Sequence, residues 1–163
     1  MLVEMKVAGI MLDPVSNMPI IILRDLAEKD TLPIWIGVVE ASSIAMQLEK
    51  IKIPRPLTHD LLKNILEQLQ VSVLKIEVTD LRDNTFFALI HLETPAGVMA
   101  IDSRPSDAIA LALRTESPIF VDDKVLEKSR RMEKESGFSS ENKDKWREIL
   151  ENLRPEDFGK YKQ

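Results

Sequence analysis

Apolar and polar residues alternate through "VEMKVAGIM" (3–11), where Val3, Met5, Val7 and Met11 are spaced to share one face, and that two-residue period predicts a strand. "DPVSN" (13–17) gathers turn formers, and "MPIIILRD" (18–25) reads as a buried second strand paired with the first. Its "PIIIL" core is apolar enough to need a cover if it lies at a sheet edge. "TLPIWIG" (31–37) predicts a third short strand ending at Gly37. The period then lengthens. In "EASSIAMQLEKI" (40–51), Ala41, Ile44, Ala45 and Leu48 recur at helical spacing. Two prolines in "KIPRPLTHD" forbid a continuous helix, so 52–57 is an extended link. Thr58 is placed to cap "HDLLKNILEQLQ", with Asp60 in the first turn, where the helix dipole favours an acid. Leu61, Leu62, Ile65, Leu66 and Leu69 form the expected core face of that helix.

Further along, "VSVLKIEVTD" (71–80) and "TFFALIHLE" (85–93) alternate around "LRDN" as a hairpin, and "TPAG" turns the chain into "VMAID" (98–102), a third strand of a meander. "IDSRPSDAIALALR" (101–114) is a strand that breaks and restarts as a buried helix, and "SPIFV" (117–121) is a last short strand. From Asp122 the chain is strongly charged and broken by Gly137, Pro155 and Gly159, which predicts two short amphipathic helices at about 123–134 and 140–152. The expected class is α+β: a mixed, largely antiparallel sheet or sheets, three core helices and a C-terminal helical appendage. One domain is expected over 1–127, and a charged helical tail with the composition of a mobile segment over 128–163. "WIGVVEASSIAMQL" (35–48) and "AIDSRPSDAIALAL" (100–113) echo each other as strand, turn and Ala-rich helix, the pattern a duplication would leave.

Composition narrows the function classes. The chain has 163 residues, of which 44% are hydrophobic and 30% charged, the profile of one globular domain. It contains no cysteine, which removes disulfides, thiolate metal sites and a cysteine nucleophile, and fits a reducing cytoplasm. "MLVEMKVAGIML" carries Glu4 and Lys6 inside its apolar stretch, so neither a signal peptide nor a membrane span is expected there. The net charge of −5 and the scarcity of aromatics lean away from a broad nucleic-acid surface.

No phosphate-binding glycine loop, HExxH zinc motif or G-x-S-x-G elbow occurs, and the only histidines are His59 and His91. His91 alternates with Phe87 and Leu89 as a half-buried strand residue would. His59, beside Asp60 in a first helical turn, is either solvent-facing or a general base close to an anion-favouring helix end. At the mouth of the third helix, Ser103 or Ser106 can cap, Pro105 suits a first turn and Asp107 complements the dipole. Arg104 is not explained by capping. It can pair with Asp102 or Asp107, or present its fork to a phosphate. If Asp102 and Asp107 share a pocket, they can hold Mg²⁺ or Mn²⁺ for phosphodiester hydrolysis. Glu40 is the equivalent acid at the first strand-to-helix junction, and it matters only if the two junctions meet in space.

In this order, "LPIWIGVVEASSIAMQLE", "RPLTHDLL", "FFALIHL" and "IDSRPSDAIALALR" resemble the bifunctional nuclease domain, a family also described as a domain of unknown function of bacteria and plants. The resemblance spans about residues 3–127. It implies an α+β domain, a homo-oligomer with a dimer favoured, and a nuclease acting on RNA and/or DNA. It supplies no catalytic residues, only positions: Glu40, Arg55, His59, Asp60, Asp102, Arg104, Ser106 and Asp107 are the polar members of the matching motifs. On that basis Asp102 and Asp107, with Glu40, are the expected metal ligands. Arg55, Arg104 and Ser106 are expected to bind substrate, and His59 to move protons beside Asp102 and Asp107. The competing class is a non-enzymatic homo-oligomeric module that binds a small anion or a partner protein.

Overall fold

The computed structural model describes residues 1–135, so the helix expected over 140–152 lies outside the described residues. The chain builds two units of the same kind in succession. β1 (Leu2–Leu12), β2 (Pro19–Asp25) and β3 (Thr31–Trp35) form an antiparallel meander followed by helix α1 (Val38–Leu48). After helix α2 (Thr58–Gln68), a second antiparallel meander of β4 (Ser72–Arg82), β5 (Thr85–Thr94) and β6 (Gly97–Ser103) leads into helix α3 (Pro105–Thr115). β7 (Ile119–Asp122) then enters between the meanders, antiparallel to β1 and parallel to β4, and helix α4 (Asp123–Glu135) follows. The result is one seven-stranded mixed sheet in the order β3-β2-β1-β7-β4-β5-β6. The "PIIIL" segment is therefore an inner strand, already flanked on both sides.

Local chemistry explains the turns and registers. The β4–β5 hairpin closes on Asp83 and Asn84 at φ 49° and 59°, the left-handed pair that a tight hairpin turn demands and that Asp and Asn tolerate. In β1 a bulge between Val7 and Gly9 shifts the pairing with β2, so Ile10 takes the core position that simple alternation gives to Met11.

The core lies between the sheet and its helices. Ile76, Val78, Ala88, Ile90, Ile119 and Val121 meet Ala108–Ala112 of α3 and Ala41, Ile44 and Ala45 of α1 in one apolar cluster. α3 is buried nearly all round. α4 packs by Val125, Leu126 and Ser129, and Lys128 donates to Asp80 at 2.6 Å while Arg130 pairs with Asp30. It is a continuous helix across the expected boundary at 127/128.

α2 departs from expectation. Of its residues only His59 is buried, while Leu61, Leu62, Ile65 and Leu69 are exposed, and Leu66 alone of the expected core face packs partly against the core. Among the described residues no helix is long and apolar enough to cross a membrane.

Candidate functional site

The two strand-to-helix junctions meet. Glu40 lies in the first turn of α1, whose N-cap is Gly37; Arg104 is the N-cap of α3, with Pro105 at its first position. An Arg104 terminal nitrogen lies 2.9 Å from Glu40 Oε1, and Arg104 Nε donates to Asp107 Oδ2 at 2.8 Å. Gly37 leaves room for this placement: a Cβ there would stand 2.1 Å from Glu40 Oε2, so a larger residue would make the carboxylate shift from its position over the helix end.

From Asp107 the network runs inward. His59 Nε2 is 2.9 Å from Asp107 Oδ1, and His59 Nδ1 is 2.7 Å from Ser43 Oγ, on α1. Exposure falls along the way, from 64% for the Arg104 side chain through 32% for Asp107 to 10% for His59. Burial pushes the Asp107 carboxyl up, but hydrogen bonds and charge from Arg104 and His59 outweigh it and hold the group below the usual carboxylate range. The hydrogen bond and charge of Asp107 raise the Arg104 guanidinium further above its already high value. An ionised Asp107 can only accept, so in the neutral imidazole Nε2–H donates to it and Nδ1 is left to accept the Ser43 hydroxyl proton. Hydroxyl, imidazole and carboxylate are thus in line, the order in which a base is oriented from behind and a proton is taken in front.

A second, deeper set locks the three helices. Arg114, with a side chain 4% exposed, donates from Nε to Asp60 Oδ1 at 2.7 Å. Its two terminal nitrogens donate to the Ala110 carbonyl at 2.9 Å and the Ser43 carbonyl at 3.0 Å. Asp60 Oδ2 also accepts the Leu57 N–H at 3.0 Å, so Asp60 caps α2 from inside and the N-cap is Leu57 rather than Thr58. Burial raises the Asp60 carboxyl, and Arg114 with the Leu57 N–H more than reverses that, leaving it lowered. Ser43 joins the two sets, its hydroxyl serving His59 and its carbonyl serving Arg114.

The structure therefore gathers Glu40, Ser43, His59, Arg104 and Asp107 into one site. Asp102 lies elsewhere. On β6 it stands opposite Leu89, whereas its neighbour Ile101 stands opposite the buried Ile90, on the sheet face that α3 covers. Alternation turns Asp102 to the other face. The metal test follows from the same placement. Arg104 bridges Glu40 and Asp107, Asp102 faces away, and among the described residues no three His, Asp or Glu side chains are gathered as a metal ion requires. Ser106 is buried in the first turn of α3, and no side-chain hydrogen bond caps that helix. Ser103 instead donates to the Arg104 carbonyl. Arg55 is exposed in the segment leading to α2. His91 is half-buried and 3.1 Å from Glu77 Oε2, a strand-to-strand pair on the far face.

Ser43 in the site and Arg114 in the deeper set are the network members that the pattern of the chain does not single out. A signal for the first exists: Glu40, Ser43 and Gln47 form a polar line at helical spacing beside the apolar stripe of α1. For the second, the signal is an arginine closing an otherwise apolar helix, since a buried guanidinium needs a carboxylate from elsewhere.

Comparison with known proteins gives the family of the chain. The sequence model of the bifunctional nuclease domain matches residues 21–134. An uncharacterized protein of Mycobacterium tuberculosis is 34% identical over 162 residues, covering 95% of this chain and 97% of its own length. Bifunctional nuclease 1 of Oryza sativa subsp. indica is 26% identical over 97 residues, which is 58% of this chain and 29% of the rice protein. Bifunctional nuclease of Oryza minuta matches to the same extent, 26% over 97 residues.

Proposed function

Because the chain belongs to the bifunctional nuclease domain family, we propose that it hydrolyses phosphodiester bonds of RNA or DNA at the mouth of α3. The observation that carries this reading is the unbroken path from the exposed Arg104 through Asp107 to His59 and Ser43. Arg104 offers a phosphate its solvent-facing edge, with Arg55 as a second cation. His59, oriented by Asp107, takes the proton from the attacking oxygen, either water or the Ser43 hydroxyl, and returns it to the sugar oxygen whose bond to phosphorus breaks; where Ser43 attacks, water then hydrolyses the phosphoserine. Asp102, on the far face, takes no part in the proton path. Mg²⁺ and Mn²⁺ enter only as arms of the test, since the Arg104 guanidinium already bridges the carboxylates that would hold them. The net charge of −5 implies weak, salt-sensitive binding of a polyanion. A cytoplasmic setting belongs to the same proposal and rests on the cysteine-free composition.

The test incubates wild type, His59→Ala and Arg104→Ala with labelled single-stranded RNA, single-stranded DNA and duplex DNA, each with Mg²⁺, Mn²⁺ or chelator. Cleavage that falls by roughly 10²–10⁴-fold in His59→Ala supports the reading. Equal cleavage by all three proteins refutes it.

A second reading, a homo-oligomeric module without catalysis, is favoured by a different observation: every charged group of the network already has a partner within the chain, while the outer face of α2 is apolar and has no cover among the described residues.

A further inference from the structure

α2 is built inside out for a monomer. Its ionisable residues share one side of the helix: His59 bonds Asp107 and Asp60 bonds Arg114 against the protein, while Lys63 pairs with Glu67 at the solvent-exposed end of that side. At about 100° per residue the opposite side consists of Thr58, Leu61, Leu62, Asn64, Ile65, Gln68 and Leu69, with no charge among them. Leu61 is 51% exposed, Leu62 36%, Ile65 46% and Leu69 62%, and Leu57 at the helix entrance is 44% exposed. In a chain with 30% charged residues, a solvated helix face carries charge. This one carries leucine.

We infer that a second copy of this chain covers the face, with α2 packed antiparallel to α2 about a two-fold axis at Ile65. The spacing is self-complementary. In that register Ile65 meets Ile65, and Leu61 meets Leu69 from both ends, the isologous match a closed dimer requires. Leu62 meets the aliphatic stem of Gln68. No like charges oppose one another, because none are present on the face. The exposed apolar area is on the order of a few hundred Å², the size at which a patch on a soluble protein marks an interaction site. It forms the apolar centre of an interface that takes ~800 Å² from each partner, with the uncharged Thr58, Asn64 and Gln68 at its rim. A nucleic acid or an anionic lipid surface would need basic residues on or beside the stripe, and the outer side of α2 has none. The surface belongs to the homo-oligomeric reading and is independent of phosphodiester hydrolysis, so its failure and that of the nuclease reading appear in different assays.

The test uses the full chain and two kinds of variant. Sedimentation or light scattering gives the mass of wild type and of Ile65→Asp over a range of concentrations. The expected result is a dimer for wild type and a monomer for Ile65→Asp, with unchanged far-ultraviolet circular dichroism because Ile65 is exposed in the monomer. The chain contains no cysteine, so single cysteines report proximity cleanly. Ile65→Cys is expected to oxidise to a linked dimer, whereas Val15→Cys, in the β1–β2 turn, is not. A mixture of Leu61→Cys and Leu69→Cys is expected to link one variant to the other, as antiparallel packing requires. A wild type monomeric at all concentrations overturns the inference, as does a dimer indifferent to Ile65→Asp. Predominant linkage of Leu61→Cys to itself overturns the antiparallel register.

Discussion

α2 and α3 are the same length, 11 residues each, and both begin at the site, yet they distribute their side chains in opposite ways. α3 buries Pro105, Ser106, Ala108 to Ala112 and Arg114, and both of its charged residues are spent within the chain. α2 buries only His59 and turns its leucines outward. The contrast shows what hydrophobic periodicity measures. It reports that a helix face is to be covered and does not say which molecule supplies the cover. In α3 the cover is the sheet, α1 and α2, and in α2 the apolar face has no cover within the described residues.

The comparison breaks most severely at Arg114. Arg114→Ala leaves Asp60 and the carbonyls of Ser43 and Ala110 without their donor inside the three-helix junction, a loss of about 3–5 kcal/mol in a denaturant titration. Arg114→Lys recovers only part of this, because an ammonium cannot span three helices as a fork does. Next in size is a direct contrast of the two helices. Leu111→Ala in α3 is expected to cost about 2–5 kcal/mol, since Leu111 is 1% exposed. Leu61→Ala, made in a chain already carrying Ile65→Asp, should fall within ~0.5 kcal/mol of its parent. A large effect of Leu61→Ala in that background would mean that α2 is covered by its own chain.

The smallest expected effect concerns acid. Asp60 and Asp107 both sit below the ordinary carboxylate value in the folded chain. Their contribution to stability is therefore complete above the unfolded value, near pH ~3.9, and lost as the pH falls through the lower folded values. Asp107→Asn should flatten that acid limb in a thermal-melt series, and Asp102→Asn, on the open face of β6, should leave it unchanged.

Much of the fold is legible along the chain because each meander and helix has its own period and its own turn chemistry. The errors have local physical causes. Met11 is replaced by Ile10 in the core because a bulge beside Gly9 adds a residue to one strand and not to its partner. The α2 leucines point outward because amphipathicity has direction only relative to a neighbour. The site was partly visible. Arg104 stood out as unexplained by capping, and Glu40 mattered only if two junctions met, which they do. Nearness in sequence groups Asp102 with Asp107, but one step along a strand reverses a side chain. Ser43 and Arg114 need partners from other helices, and such partners become visible only when the helices are in place.

The position of β7 also governs the order in which the molecule can be assembled. The strand that joins the meanders is the last of the seven to emerge during synthesis, 118 residues into the chain. Until Ile119–Asp122 is made, the outer edges of β1 and β4 both lie open, each able to accept a foreign strand. Once β6 closes the second meander at Ser103, the nascent chain therefore holds two unfinished half-sheets until β7 is made, and a ribosome that stalls between residues 103 and 119 releases a product with two adhesive edges rather than a smaller version of the protein.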